Sequence, residues 1–233
     1  MHFDQPLTQG RLLRRYKRFL ADILLDDGRE VIAHCANPGS MMGLDTPGNR
    51  VWLSANSNPR AKLDWRWELL EAGGAMIGIN TQHPNRIVQE AIEAGHVPEL
   101  RGYETLRREV RYGANSRIDI LLQGSGRADC YVEVKNVHLM RSPALAEFPD
   151  ARTQRGQKHL RELQNMVREG KRAVMFYLVQ RDDCANFALA GDIDPDYAAA
   201  FREATAAGVE AVCYDCAISP REIILRRRLD IRS

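Results

Sequence analysis

Two short apolar runs, Ser116-Arg117-Ile118-Asp119-Ile120-Leu121-Leu122 and Tyr131-Val132-Glu133-Val134-Lys135-Asn136-Val137, carry charges where buried strands should carry none. No other feature constrains the chain as much, because an ionised group in an apolar interior is costly unless something pairs it. A divalent cation is one compensation: two carboxylates, Asp119 and Glu133, with the Val134 carbonyl leave an octahedral Mg²⁺ with positions for water and a phosphate oxygen. Glu133 and Lys135 are two apart and share a face of a strand. The Lys135 ammonium then stands where it can orient an attacking water and offset charge growing on a phosphate. A solvated strand face explains the same triplet, since Glu-x-Lys alone is a short motif with many chance matches. The order of elements favours chemistry. A strand carrying Asp119, a turn at Gln123-Gly124-Ser125-Gly126-Arg127, the triplet and then a basic helix follow one another.

The distribution of charge says more than its sum, for a net +2 over 233 residues does not announce a polyanion partner. Basic residues gather in three places: Arg11, Arg14, Arg15, Lys17 and Arg18; Arg152, Arg155, Lys158, Arg161, Arg168, Lys171 and Arg172; and Arg226, Arg227 and Arg228. Each cluster alone reads as a solvated face, whereas three flanking a cation site suggest a phosphate track. No run approaches a membrane span, and the first 20 residues lack an apolar signal core, which predicts a cytoplasmic protein without membrane association. The scattered cysteines Cys35, Cys130, Cys184, Cys213 and Cys216 are odd in number and predict reduced thiols. Cys213-Tyr214-Asp215-Cys216 has no second pair or nearby histidine to complete a zinc site.

From residue 16 to about 81, short alternating runs at 16–25, 30–35, 50–54, 63–71 and 75–80 are broken by Gly, Pro, Asn and Asp. Five strands at this spacing suit an OB-like barrel, and a meander about as well. Pro84, apolar residues at 87, 88, 91 and 92, and Gly95 predict a helix over 84–94, which places a domain boundary near residue 82 and gives domains 1–82 and 83–233. Strands are expected at 105–112, 116–123 and 129–138, then a helix at 153–169, a strand at 172–180, a helix at 195–207 with Asp194 and Pro195 at its start, and a strand at 209–214. This order describes an α/β sandwich.

Further site candidates follow from helical spacing. Asn85, Gln89 and Glu93 share one side of helix 84–94 with Glu90 on the adjacent stripe, and Glu90 is the preferred supporting carboxylate, with Asn85 next. Gln154 and Lys158 lie near the start of the following helix, where a phosphate is favoured. Residues 34–41, with Asn37, Gly39 and Ser40, form a turn that either presents N–H groups to an anion or serves folding alone. Phe19, Trp52, Trp65 and Trp67 are the rings available for stacking on bases, or for the core. Histidines show no constellation, no serine sits in a nucleophile elbow, and neither G-x-G-x-x-G nor a Walker A lysine occurs.

Asp119 with Glu133-Val134-Lys135 matches the PD-(D/E)XK nuclease signature. The whole chain from about Gly10 resembles the sugar fermentation stimulation protein A family through Tyr16-Lys17-Arg18-Phe19, His34-Cys35-Ala36-Asn37-Pro38-Gly39-Ser40-Met41, Ser116-Arg117-Ile118-Asp119 and Phe148-Pro149-Asp150-Ala151-Arg152-Thr153. It departs where the family generally has Pro-Asn-Thr-Gly and this chain has Ala36-Asn37-Pro38-Gly39. The resemblance implies an α/β (α+β) protein: an N-terminal OB-like five-stranded β-barrel followed by a restriction-endonuclease-like α/β sandwich. It also implies DNA binding and a regulatory role in sugar metabolism. On this reading Asp119, Glu133, Lys135 and Glu90 are catalytic, and Asp119, Glu133 and Val134 hold Mg²⁺ or Mn²⁺. Arg18, Phe19, Arg152, Gln154, Arg155 and Lys158 contact DNA without sequence preference. A DNA-binding regulator of sugar (maltose) metabolism that does not cleave is the alternative, and RNA remains a second candidate polymer. The sequence leaves the oligomeric state open.

Overall fold

The computed structural model describes residues 1–56, 60–113 and 116–232. Its first unit is built from β1 (Thr8–Tyr16), β2 (Leu20–Leu25), β3 (Glu30–Cys35), β4 (Arg50–Ala55), β5 (Trp65–Ala72) and β6 (Ala75–Gly78). β1 pairs antiparallel with β2 and β4, β2 with β3 and β4 with β5, and a parallel β3–β5 pairing closes a five-stranded barrel. Closure satisfies the strand edges, and alternate residues fill the interior: Leu12, Ile23, Leu25, Ala33, Val51, Leu53 and Trp67.

The strands of the ring differ from the periodicity in two places. The run at 16–25 is the end of one strand and the whole of another, split where Lys17 and Arg18 reverse the chain at φ 47° and 66°. β1 has no counterpart among the expected runs because Gly10 and Leu12 are its only buried positions among three arginines and other polar or exposed residues. The run at 75–80 yields β6, which pairs with β5 at the side of the ring instead of closing it.

The second unit centres on a six-stranded sheet. Its members are β7 (Thr105–Tyr112), β8 (Ser116–Gln123), β9 (Cys130–Val137), β12 (Arg172–Val179), β14 (Glu210–Ser219) and β15 (Glu222–Arg228), in the order β15-β14-β12-β9-β8-β7. The central β9, β12 and β14 run parallel, and the outer strands are antiparallel to their neighbours. Helix α1 (Pro84–Glu93) lays Ile87, Val88 and Ala91 on one face, against Ile120, Val132, Val134 and Phe176. Helices α2 (Gln154–Arg168) and α3 (Pro195–Ala206) cover the other through Leu160, Leu163, Met166, Ala200 and Ala204. Thr153 and Asp194 cap these two helices by accepting from the Gly156 and Tyr197 N–H groups. A small sheet of β10 (Leu139–Ser142), β11 (Leu145–Phe148), β13 (Asn186–Leu189) and β16 (Asp230–Arg232) has no counterpart in the sequence patterns. Strands of three or four residues are too short to show a period. Among the described residues no helix is long and apolar enough to cross a membrane.

The two units share a seam. Trp52 and Leu69 of the barrel enter the same core as Ile87 and Val88 of α1. The Gly78 N–H donates to the Gln180 carbonyl at 2.9 Å, and the Ser40 N–H donates to Asp150 Oδ2 at 2.9 Å. The anion met by the 34–41 turn is therefore a carboxylate of the second unit. A Cβ at residue 39 would collide with that carboxylate, which gives Gly39 a steric reason.

Candidate functional site

The site forms where β8 and β9 part. Their ladder runs from Leu122–Cys130 to Ile120–Val132 and stops, and the next free N–H of β9, that of Val134, donates instead to Asp119 Oδ2 at 2.8 Å. The irregularity extends to β7, where Glu109 sits at φ 53°. On β8 itself Ile118 belongs to the α2-side core and Ile120 to the α1-side core, so the inside–outside alternation changes phase at Asp119. Asn85 in the first turn of α1 donates to Asp119 Oδ1 at 2.8 Å.

Glu133 is engaged from the opposite side. Its Oε1 accepts from Lys135 Nζ at 2.7 Å and contacts Nδ1 of His159 on α2, while Oε2 is buried with no hydrogen-bond partner. The residue is 2% exposed. Burial pushes its carboxyl up, but the charge of Lys135 and the His159 bond outweigh this and hold it below the ordinary value. Asp119 lacks such relief: burial and the negative charge of Glu133 push it up to about 6, against the Val134 N–H, Lys135 and Asn85. The Tyr112 hydroxyl is likewise raised by burial and by Glu133, Glu162 and Asp119, so it remains a neutral phenol beside the pair.

A strained pair of carboxylates with one unpartnered, buried oxygen is the chemistry a hard cation answers, and the donors Asp119, Glu133 and the Val134 carbonyl fit one. Among the described residues no group of three or more His, Cys, Asp or Glu side chains converges to hold a metal, so carbonyl and water oxygens would complete the shell.

The supporting residue differs from the preferred one. Glu90 faces away, bound by the Met1 ammonium at 2.7 Å and Arg86 at 2.8 Å, and the α1 residue that reaches Asp119 is Asn85. Helical spacing groups these residues on neighbouring stripes, and only the docking of α1 decides which stripe meets β8. His159 is a site residue without a sequence signal, since a lone histidine in a helix is most often a packing residue. Tyr112 is the other.

Arg152, just before α2, and Gln154, Arg155 and Lys158 on its first turns are exposed. Arg155 Nε donates to His159 Nε2 at 3.3 Å, and Lys158 lies 3.6 Å from Glu162. The far end of the same cluster is neutralised: Lys171 pairs with Asp129 and Arg172 with Glu210. The C-terminal cluster does structural work, with Arg226 and Arg227 both pairing the fully buried Asp215 and Arg228 pairing Glu99. In the first cluster Arg14 pairs with Asp22, and Arg15 donates to the carbonyls of Asn37 and Gly39. Arg18 stays exposed beside Phe19, which is 44% exposed and stacks on His34. Trp52 and Trp67 are core residues, which leaves Phe19 and the half-buried Trp65 as stacking surfaces. One basic feature escaped the cluster count: exposed Arg111 and Arg117 are directly opposed across β7 and β8, two residues before Asp119. Like charges so placed repel unless an anion lies over them.

Two family models match the chain, one described as the SfsA N-terminal OB domain over residues 13–79 and one as the sugar fermentation stimulation protein RE domain over residues 82–222. A sugar fermentation stimulation protein homolog of Paramagnetospirillum magneticum is 58% identical over 225 residues, covering 97% of this chain and 95% of the relative. One from Rhodospirillum centenum is 58% identical over 229 residues, covering 98% of each. The solved structure of Pyrococcus furiosus SfsA in complex with Ca²⁺ superposes with a TM-score of 0.89 at 29% identity, covering 100% of this chain and 98% of that one.

Proposed function

The chain belongs to the sugar fermentation stimulation protein family, and from that premise we propose that it binds DNA without sequence preference and hydrolyses phosphodiester bonds at Asp119, Glu133 and Lys135. The observation that carries the proposal is the buried, unpartnered Oε2 of Glu133 beside an Asp119 whose carboxyl is pushed up to about 6 by burial and by that neighbour. Asp119, Glu133 and the Val134 carbonyl would hold Mg²⁺ or Mn²⁺. The Ca²⁺ carried by the Pyrococcus furiosus relative supports a divalent cation in this fold. When bound, such an ion supplies Lewis acidity and a more acidic water. The Lys135 ammonium, already 2.7 Å from Glu133, orients the attacking water and offsets charge developing on the phosphate. Asn85 and the Val134 N–H hold the Asp119 carboxylate in one orientation, and Tyr112 offers a neutral donor.

The DNA path in this reading runs over Arg152, Gln154, Arg155 and Lys158, crosses the Arg111–Arg117 pair and reaches Arg18 and Phe19 on the barrel. Residues 1–82 then act as a nucleic-acid-holding domain and 83–233 as the catalytic one, in the cytoplasm. A second reading, a DNA-binding regulator of sugar (maltose) metabolism without cleavage, is favoured by the small acidic set, in which no third carboxylate or histidine joins the pair in ligating geometry among the described residues.

Incubating the purified chain with single-stranded, duplex and branched DNA and with RNA, in Mg²⁺, Mn²⁺ or EDTA, separates the readings. Cleavage that needs the metal and disappears in Asp119→Ala, with affinity for the same polymer kept, supports the nuclease. Tight binding with intact products in every metal supports the regulator, and a preference for RNA reassigns the polymer.

A further inference from the structure

We infer that His159 is a positioning residue that keeps Glu133 Oε2 free for a cation and releases Lys135 to face the substrate, with Arg155 fixing its tautomer. This rests on the reading of Asp119 and Glu133 as a cation site.

The hydrogen-bond roles follow from which atoms can donate. Glu133 Oε1 is a carboxylate acceptor, so the His159 Nδ1 that touches it must carry the proton. Arg155 Nε can only donate, so His159 Nε2, 3.3 Å away, must present its lone pair. The two contacts together specify the neutral Nδ1–H imidazole. Lys135 Nζ lies 3.2 Å from the same Nδ1, but an ammonium has no acceptor, so that contact is one of proximity while its bond goes to Glu133 Oε1 at 2.7 Å.

Glu133 Oε1 thus has two donors and Oε2 has none. Such asymmetry costs free energy in a metal-free protein, because a buried acceptor left unpaired pays its desolvation. It is understandable if Oε2 is reserved for an ion. The doubling at Oε1 has its own consequence. When Lys135 swings toward a phosphate, the His159 N–H remains on Oε1, so the carboxylate keeps its rotamer and does not lose its last donor. His159 is 5% exposed and packed within α2, and so cannot itself reach a bound polymer. Arg155 is exposed, so one guanidinium joins the polymer face to the carboxylate through a single buried ring.

The test is Mn²⁺ binding by titration calorimetry on the full chain, with wild type, His159→Leu, His159→Asn, Arg155→Gln and Asp119→Ala. Asparagine places an N–H near the position of Nδ1; leucine fills the space without one. Loss of an outer partner of a metal ligand costs about 10- to 100-fold in affinity, so His159→Leu is expected to weaken Mn²⁺ by that factor. His159→Asn should recover most of it, and Arg155→Gln should give a smaller loss while leaving the circular dichroism spectrum unchanged. Should His159→Leu fail to fold, Arg155→Gln carries the test, with a measurable loss of Mn²⁺ affinity expected. Wild-type affinity in His159→Leu or in Arg155→Gln, with none in Asp119→Ala, overturns the inference and leaves the cation site standing. No Mn²⁺ binding by the wild type overturns both.

Discussion

At the scale of single residues, Asp119 makes the sharpest prediction. Its carboxyl is raised from 3.8 to about 6 in the fold, so the fold prefers the protonated form. The stability gained from that proton is complete below 3.8 and is lost as pH rises through about 6. In metal-free protein at about pH 8 the ionised Asp119 therefore costs up to ~3 kcal/mol. Asp119→Asn keeps an oxygen for the Val134 N–H and, with Asn85 turned over, a partner for α1. It is expected to melt at a higher temperature than wild type at about pH 8 in EDTA, with the advantage shrinking toward about pH 5. Added Mn²⁺ should reverse the order, since only the wild type keeps the ligand. A variant that melts below wild type in EDTA at every pH would show that Asp119 is stabilised by its donors and is under no strain. The triplet itself was legible because charge inside apolar runs is conspicuous. Glu90 was the misplaced residue: it and Asn85 are polar residues on adjacent helical stripes, and nothing in their spacing tells which one faces a strand.

At the scale of elements, α2 carries most of the candidate function. Its start is written locally, with Thr153 accepting from Gly156 N–H at 3.0 Å, and Thr153→Ala should lose about 1 kcal/mol of stability in denaturant unfolding. Its exposed first turns make a different kind of prediction. Replacing Arg152, Arg155 and Lys158 together by Ser should weaken DNA binding about equally for unrelated sequences and flatten the log–log salt dependence by about 0.9 per lost phosphate contact. An unchanged slope in fluorescence anisotropy would return this face to ordinary solvated charge. The C-terminal basic strand β15 supplies the contrast. Replacing Arg226 and Arg227 strands the buried Asp215, so their loss should cost stability before it changes any affinity.

At the scale of the molecule, the barrel and the sandwich are joined by apolar and polar contacts. Trp52 and Leu69 complete a core that also contains Ile87, Val88 and Phe176, and Ser40 clips to Asp150. One cooperative thermal transition is therefore expected, with calorimetric and van't Hoff enthalpies in agreement. A fragment of residues 1–82 should expose Trp52 and show a red-shifted tryptophan emission relative to the full chain. Two separated transitions, with the fragment emitting like the intact protein, would mean that the seam contributes little.

What the sequence determined by itself lies in local periodicity and in chemistry that stands out against its surroundings. Short alternating runs marked the first unit as strands without deciding between barrel and meander, Pro84, Asp194 and Pro195 marked helix starts, and Asp119 with Glu133 and Lys135 interrupted apolar strands. Other features were decided only in three dimensions because they depend on partners distant in the chain. The parallel β3–β5 contact closes the ring, and the docking of α1 selects Asn85 over Glu90. The helix α2 brings His159 onto a glutamate 26 positions earlier. The arginines of β15 look like a phosphate track as letters and become counter-ions once Asp215 is buried beneath them. A side chain's type is fixed by its codon, but whether its charge faces solvent, a partner or a buried opposite charge is fixed only when the elements pack.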